Sequence, residues 1–201
     1  MLENEYILKI SIVGSPTNLT NQLVRAVADD TTEESLLFTF GFDFWTKRIQ
    51  VETSLVRLIL MNTIGKDQDP EGPRRRRYYE NSSAAVITFD KGSRNSFNHV
   101  VDYYNEVKGL KEEYKEKALR VWDGKGAKGN LRLWEGIPLA LIGIITGVEE
   151  VRAAEGRIFA EEREMWYYEL GLQEREKILQ LFVDLAKRCL QRMRLFSKLE
   201  L

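Results

Sequence analysis

Residues 8–21 read LKISIVGSPTNLTN. The first six are mostly apolar, as in a buried strand. Gly14 and Pro16 then punctuate the chain, and Leu23, Val24 and Val27 follow at helical spacing. A strand, a glycine turn and a helix in this order frame a phosphate-binding loop, whose turn reads Gly-x-x-x-x-Gly-Lys-Ser/Thr. Counted from Gly14, Leu19 stands at the second glycine, Thr20 at the lysine and Asn21 at the Ser/Thr. The frame of a nucleotide-binding turn is present, and its phosphate chemistry is missing.

Strand and helix patterns alternate outward from this stretch. Residues 37–52 and 55–62 read as strands, the second nearly all apolar (LVRLILMN). AAVITFD (84–90), PLALIGII (138–145) and MWYYEL (165–170) read as three more. Helical patterns cover 21–28, 94–120, 148–164 and 175–195. Such alternation predicts an α/β domain with a mostly parallel sheet covered by helices on both faces. One antiparallel pair is expected where 37–52 and 54–62 meet. Ligands of open α/β sheets bind beyond the carboxyl ends of the strands, here Gly14, Asn62, Asp90, Ile145 and Glu169.

Bulk properties narrow the function. The 201 residues suit one compact domain, with 43% hydrophobic and 30% charged residues. A formal net charge of -1 argues against a nucleic-acid-binding field. The single cysteine, Cys189, allows no internal disulfide and fits a reducing, cytoplasmic compartment. With His99 the single histidine, a Cys/His zinc site has too few ligands, and no metal site is expected. His99 reads as a helix-face residue. Cys189 has core-compatible spacing with Leu185 and Phe182, and Tyr103, Tyr104, Tyr167 and Tyr168 read as packing residues. No signal peptide, membrane-length apolar run or C-terminal prenylation cysteine is read, so membrane recruitment is expected to go through another protein.

Residues 76–107, RRYYENSSAAVITFDKGSRNSFNHVVDYYNEV, carry a paired tyrosine, a small-residue turn, an apolar strand ending in Asp, and a Ser-Phe pair opening a helix. In this the chain resembles the Ras superfamily of small GTPases, most closely its Rab branch. TFGFDFWTKRIQV (39–51) and EGRIFAEEREMWYYEL (155–170) extend the resemblance from about Leu8 to Leu190. It implies a Ras-like P-loop fold with a six-stranded sheet, and it sharpens the meaning of the altered motifs.

In that family the P-loop lysine neutralises phosphate charge and the following hydroxyl holds Mg²⁺. Thr20 and Asn21 supply neither, Leu19 adds bulk, and Pro16 removes a backbone N–H from the cradle. Thr39 is retained where the family's threonine closes over Mg²⁺ and the γ-phosphate. Asn62 replaces the acidic Mg²⁺-side residue, Gly65 is kept, and Lys66 replaces the water-orienting glutamine. Gly147 stands where an Asp accepts both guanine donors, and Gly171-Leu172-Gln173 replaces the last guanine motif. Charge-assisted hydrogen bonds contribute roughly 1.5–3 kcal/mol each, so losing three or more costs on the order of 5 kcal/mol, several thousand-fold in affinity. No catalytic residue is expected. Apolar Leu19, Ile144 and Ile145 are expected to fill the pocket from within.

The resemblance also implies a protein-binding face. Phe44 and Tyr78 match two members of a Rab aromatic triad, and Met61 takes the place of its tryptophan. Trp45 is a further candidate, facing the opposite side of the strand from Phe44. Arg74, Arg75, Arg76 and Arg77 form a basic run suited to an acidic partner, or a solvated helix face. Residues 108–136 are longer than the family's usual connection and hold Trp122 and Trp134 beside Gly124, Gly126 and Gly129. They form a partner-docking insertion or an anchored helix extension.

Three functions stay open at this level. The leading one is a degenerate small GTPase acting as a protein-binding scaffold without a cofactor. The second is a divergent GTP/GDP switch using Mg²⁺ weakly or not at all, which retention of Gly14, Thr39 and Gly65 favours. The third is a subunit of a trafficking or regulatory assembly, docked through 108–136.

Overall fold

A computed structural model describes residues 5–28, 44–63, 79, 82–109 and 137–199. In order they form β1 (Glu5–Ser15), α1 (Thr17–Val27), β2 (Phe44–Val51), β3 (Ser54–Asn62), β4 (Ala84–Asp90) and α2 (Arg94–Asn98). A helical run over 100–109 follows, then β5 (Leu139–Ile145), α3 (Ala153–Glu161), β6 (Trp166–Gly171) and α4 (Arg175–Leu199). The strands make one six-stranded sheet in the order β2-β3-β1-β4-β5-β6. Only the β2–β3 pair is antiparallel, as the sequence predicts.

Side-chain period explains the layers. Leu8, Ile10 and Ile12 of β1 point to one face, where Leu23 and Val24 of α1 and Leu181, Phe182 and Leu185 of α4 cover them. Ala85, Ile87 and Phe89 of β4 and Leu141 of β5 point to the other, where Tyr103, Ala160 and Met165 pack. Strands β4 and β5 are therefore buried on both faces up to their last residues, Asp90 and Ile145. Cys189 joins the first layer as expected, with Sγ donating to the Ser83 carbonyl at 3.3 Å. Burial pushes its thiol up to about 12, which makes it a packing residue without thiolate chemistry. Glu52 turns the β2–β3 hairpin at φ 54°, and Lys187 of α4 pairs with it at 3.2 Å.

Several boundaries depart from the sequence reading. Helix α1 starts at Thr17, four residues before the apolar periodicity indicates, because Pro16 in extended geometry ends the strand and releases the chain into a helix at once. Helix α3 starts at Ala153 and not near Val148. The backbone N–H groups of Glu150 and Val151 donate to the Lys91 carbonyl at 2.9 and 3.0 Å, so they are committed elsewhere. The Glu155 carboxylate then accepts from the Arg152 backbone N–H at 2.9 Å, and the Glu155 N–H donates to the Arg152 carbonyl at 3.0 Å, which fixes the start. The long helix expected over 94–120 is divided by a turn at His99, and its part beyond 109 lies outside the described residues.

Candidate functional site

Strands β3 and β4 flank β1, and the chain reverses its direction of winding there, so the crevice at the carboxyl ends of β1 and β4 is the expected ligand position. Strand β1 continues through Gly14 and Ser15, which pair with Thr88 and Phe89 of β4. Pro16 alone separates Ser15 from the first residue of α1. Gly14 is thus a strand residue and not the start of an open turn, contrary to the sequence reading. It is required by contact: a Cβ there would lie 1.9 Å from Thr88 Oγ1 and 2.4 Å from the Thr88 carbonyl oxygen.

The other turn positions are drawn into the protein. Leu19 joins the core layer beneath α1. Thr20 is fully buried, with its hydroxyl 3.3 Å from that of Thr88, which also donates to the Val13 carbonyl at 3.4 Å. The Asn62 amide donates to Asn21 Oδ1, so the two side chains are joined by a neutral hydrogen bond. Asn62 Oδ1 and Thr63 Oγ1 are buried without a hydrogen-bond partner among the described residues. Ile144 is buried as expected, whereas Ile145 is 41% exposed and does not fill the site. Gly147 lies in the exposed loop that follows β5.

That loop is tied to the end of β4 by residues sequence reading missed. Lys91, 1% exposed, bridges Glu149 at 2.6 Å and Glu169 at 2.7 Å. Burial works against its charge, but the two carboxylates outweigh it and hold its pKa above the usual lysine value. Tyr167 donates to Glu169 at 2.6 Å. Burial opposes the Glu169 charge too, but the bonds from Lys91 and Tyr167 keep that carboxyl below the ordinary range. Asp90 accepts from Gly92 N–H at 2.8 Å and from the Thr146 hydroxyl. Arg94 grips Glu155 through two bonds of 2.6 and 2.9 Å and donates to the Glu150 carbonyl at 2.6 Å. The available signal was a lone glycine, Gly143, inside an apolar strand, which marks close approach by another group.

Phe44 and Met61 are direct cross-strand partners, both half-buried on one face of the sheet. Trp45, half-buried, packs against the core layer on the other face, which separates it from them. Thr39, Gly65, Lys66, Arg74, Arg75, Arg76, Arg77 and Tyr78 lie outside the described residues, as do 110–136 of the insertion. Among the described residues no group of His, Cys, Asp or Glu is placed to hold a metal ion, and no helix is long and apolar enough to cross a membrane.

The strand order and the altered turn can be set beside known proteins. The Ras family model matches residues 9–191. The chain belongs to the Ras family. Among its Ras-family relatives, Ras-related protein Rab-1 of Theileria annulata is 26% identical over 102 residues, 51% of this chain and 46% of the relative. GTP-binding protein ypt1 of Schizosaccharomyces pombe is 28% identical over 105 residues, 52% of this chain and 51% of the relative. Ras-related protein Rab-11C of Dictyostelium discoideum is 31% identical over 112 residues, 55% and 49% of the two chains. The chain spans about half the length of the curated relatives it matches.

Proposed function

We propose that this Ras-family chain is a protein-binding module that works without nucleotide. One observation carries the reading: a single residue, Pro16, connects β1 to α1. A phosphate cradle needs a run of free backbone N–H groups between strand and helix. Here Ser15 pairs with Phe89 in the sheet, the Leu19 N–H donates to the Pro16 carbonyl at 3.1 Å, and proline contributes no N–H. The donor set does not fit Mg²⁺ with phosphate either. Asn21 and Asn62 are neutral and bonded to each other, where a hard cation calls for carboxylate and hydroxyl oxygens. Thr20, buried against Thr88, brings no positive charge.

Partner binding is assigned to the face of the β2–β3 pair that presents Phe44 and Met61, with Tyr78 and the Arg74–Arg77 run following in the chain. Half-buried aromatic and Met side chains at a sheet end suit an apolar anchor of a partner protein. The cytoplasmic assignment and the scaffold role belong to this reading.

A divergent nucleotide switch is the second reading. It draws on two buried oxygens without partners among the described residues, Asn62 Oδ1 and Thr63 Oγ1, which a ligand at that edge would satisfy. The nucleotide content of purified protein, with thermal shifts in GTP and GDP with and without Mg²⁺, separates the two. The scaffold reading requires an empty protein whose melting does not move. Bound nucleotide at one per chain puts the switch in its place. In a partner pull-down, Phe44→Ala and Met61→Ala then lose capture while Trp45→Ala lowers stability instead.

A further inference from the structure

The loop over 146–151 carries Gly147, the position at which the sequence resemblance places a guanine-recognising Asp. We infer that Lys91 is an internal clamp that fixes this loop from within, so that its conformation needs no nucleotide. The inference deepens the ligand-free reading above and rests on it.

The geometry is a tie across three strands. Lys91 follows the last residue of β4, and its stem crosses β5 directly over Gly143. A Cβ on Gly143 would lie 3.0 Å from Lys91 Cγ and 3.2 Å from Cδ, so the glycine makes room for the stem. The ammonium ends between Glu169 of β6 and Glu149 of the loop, at 2.7 and 2.6 Å. Its own backbone completes the clamp. The Lys91 N–H donates to the Ile144 carbonyl at 2.9 Å, and its carbonyl accepts from Glu150 and Val151. One residue therefore holds the loop through its N–H, its carbonyl and its side chain. Thr146 on Asp90 and Arg94 on Glu150 pin the two ends. A lysine this deeply buried is tolerated only with paired charge, and the two carboxylates supply it.

The clamp is tested by hydrogen exchange on the nucleotide-free protein. Lys91→Met keeps the stem over Gly143 and removes the ammonium. We expect exchange at the Glu150 and Val151 amides to accelerate about tenfold or more, while Ile10 and Leu58 in the central strands keep wild-type rates. Unchanged exchange at Glu150 and Val151, or equal acceleration throughout the sheet, overturns the clamp. Should Lys91→Met fail to fold, Glu149→Gln decides on the same criterion, because Glu149 is half exposed and its loss leaves the core intact. Protection of 146–151 in wild-type protein by added GTP or GDP with Mg²⁺ would instead overturn the ligand-free reading. The comparison of variant with wild type, made without nucleotide, is unaffected by that result.

Discussion

Gly14 of β1 and Thr88 of β4 are in contact at the point where a Ras-family protein opens its nucleotide crevice. A Cβ on Gly14 would meet both the hydroxyl and the backbone carbonyl of Thr88, at 1.9 and 2.4 Å. Gly14→Ala is therefore expected to destabilise the fold by about 2 kcal/mol or more, since overpacking a rigid strand pair costs 1–3 kcal/mol. Adding Thr88→Ala removes the hydroxyl but leaves the carbonyl, so the double variant recovers only part of the loss. Urea unfolding of the three proteins reads this directly.

Restoring the family's residues is not expected to restore the family's chemistry. Thr20→Lys places an ammonium at a fully buried position against Thr88, with no carboxylate described beside it. The variant is expected to lose about 2 kcal/mol or more of stability, as unpaired buried charge does. Combining it with Asn62→Asp is expected to give no thermal stabilisation by GTP and Mg²⁺. A nucleotide-dependent rise in melting temperature would show that residue identity, and not the length of the turn, decides whether nucleotide binds.

Phe182 of α4 is fully buried in the layer shared with α1 and β1. Phe182→Ala is expected to cost about 3–5 kcal/mol through lost transfer energy and the cavity left behind. Conservative replacement of the neighbouring Cys189 by Ala is expected to cost less, because less volume is removed. Denaturant melts of both variants check the order.

The Arg94–Glu155 pair gives a pH signature. The Arg94 guanidinium, and then the Arg152 N–H, hold the Glu155 carboxyl down to about 2 from 4.5. A carboxyl depressed in the folded state contributes its stability above the unfolded value and loses it as pH falls through the folded one. The contact is therefore expected to hold at neutral pH and to weaken between 4.5 and about 2. An NMR titration of the Glu155 carboxyl should give a midpoint near 2, and Arg94→Ala should move it up towards 4.5.

The α/β class, the antiparallel β2–β3 pair and the apolar strands β4 and β5 were legible because they follow from local period, whereas β3, whose apolar run predicts burial on both faces, alternates buried and half-buried because only one of its faces is fully covered. A side chain's alternation or helical recurrence is carried by its near neighbours. The altered residues Leu19, Thr20, Asn21 and Asn62 were legible for the same reason, being set by count from Gly14. The length of the turn was not. Sequence alone places a glycine turn at Gly14, but whether the strand ends there or runs to Ser15 depends on pairing with Thr88 and Phe89, 74 residues away in each case.

Sequence by itself determined which elements form and which residue types stand at the turn positions, since each is a property of a short window. Tertiary structure decided the rest. It joined Asn21 to Asn62, drew Thr20 against Thr88, packed Trp45 against the core and laid Lys91 over Gly143 to reach Glu169. Each of these joins residues far apart in the chain, and a contact of that kind exists only once the sheet has set the order of its strands.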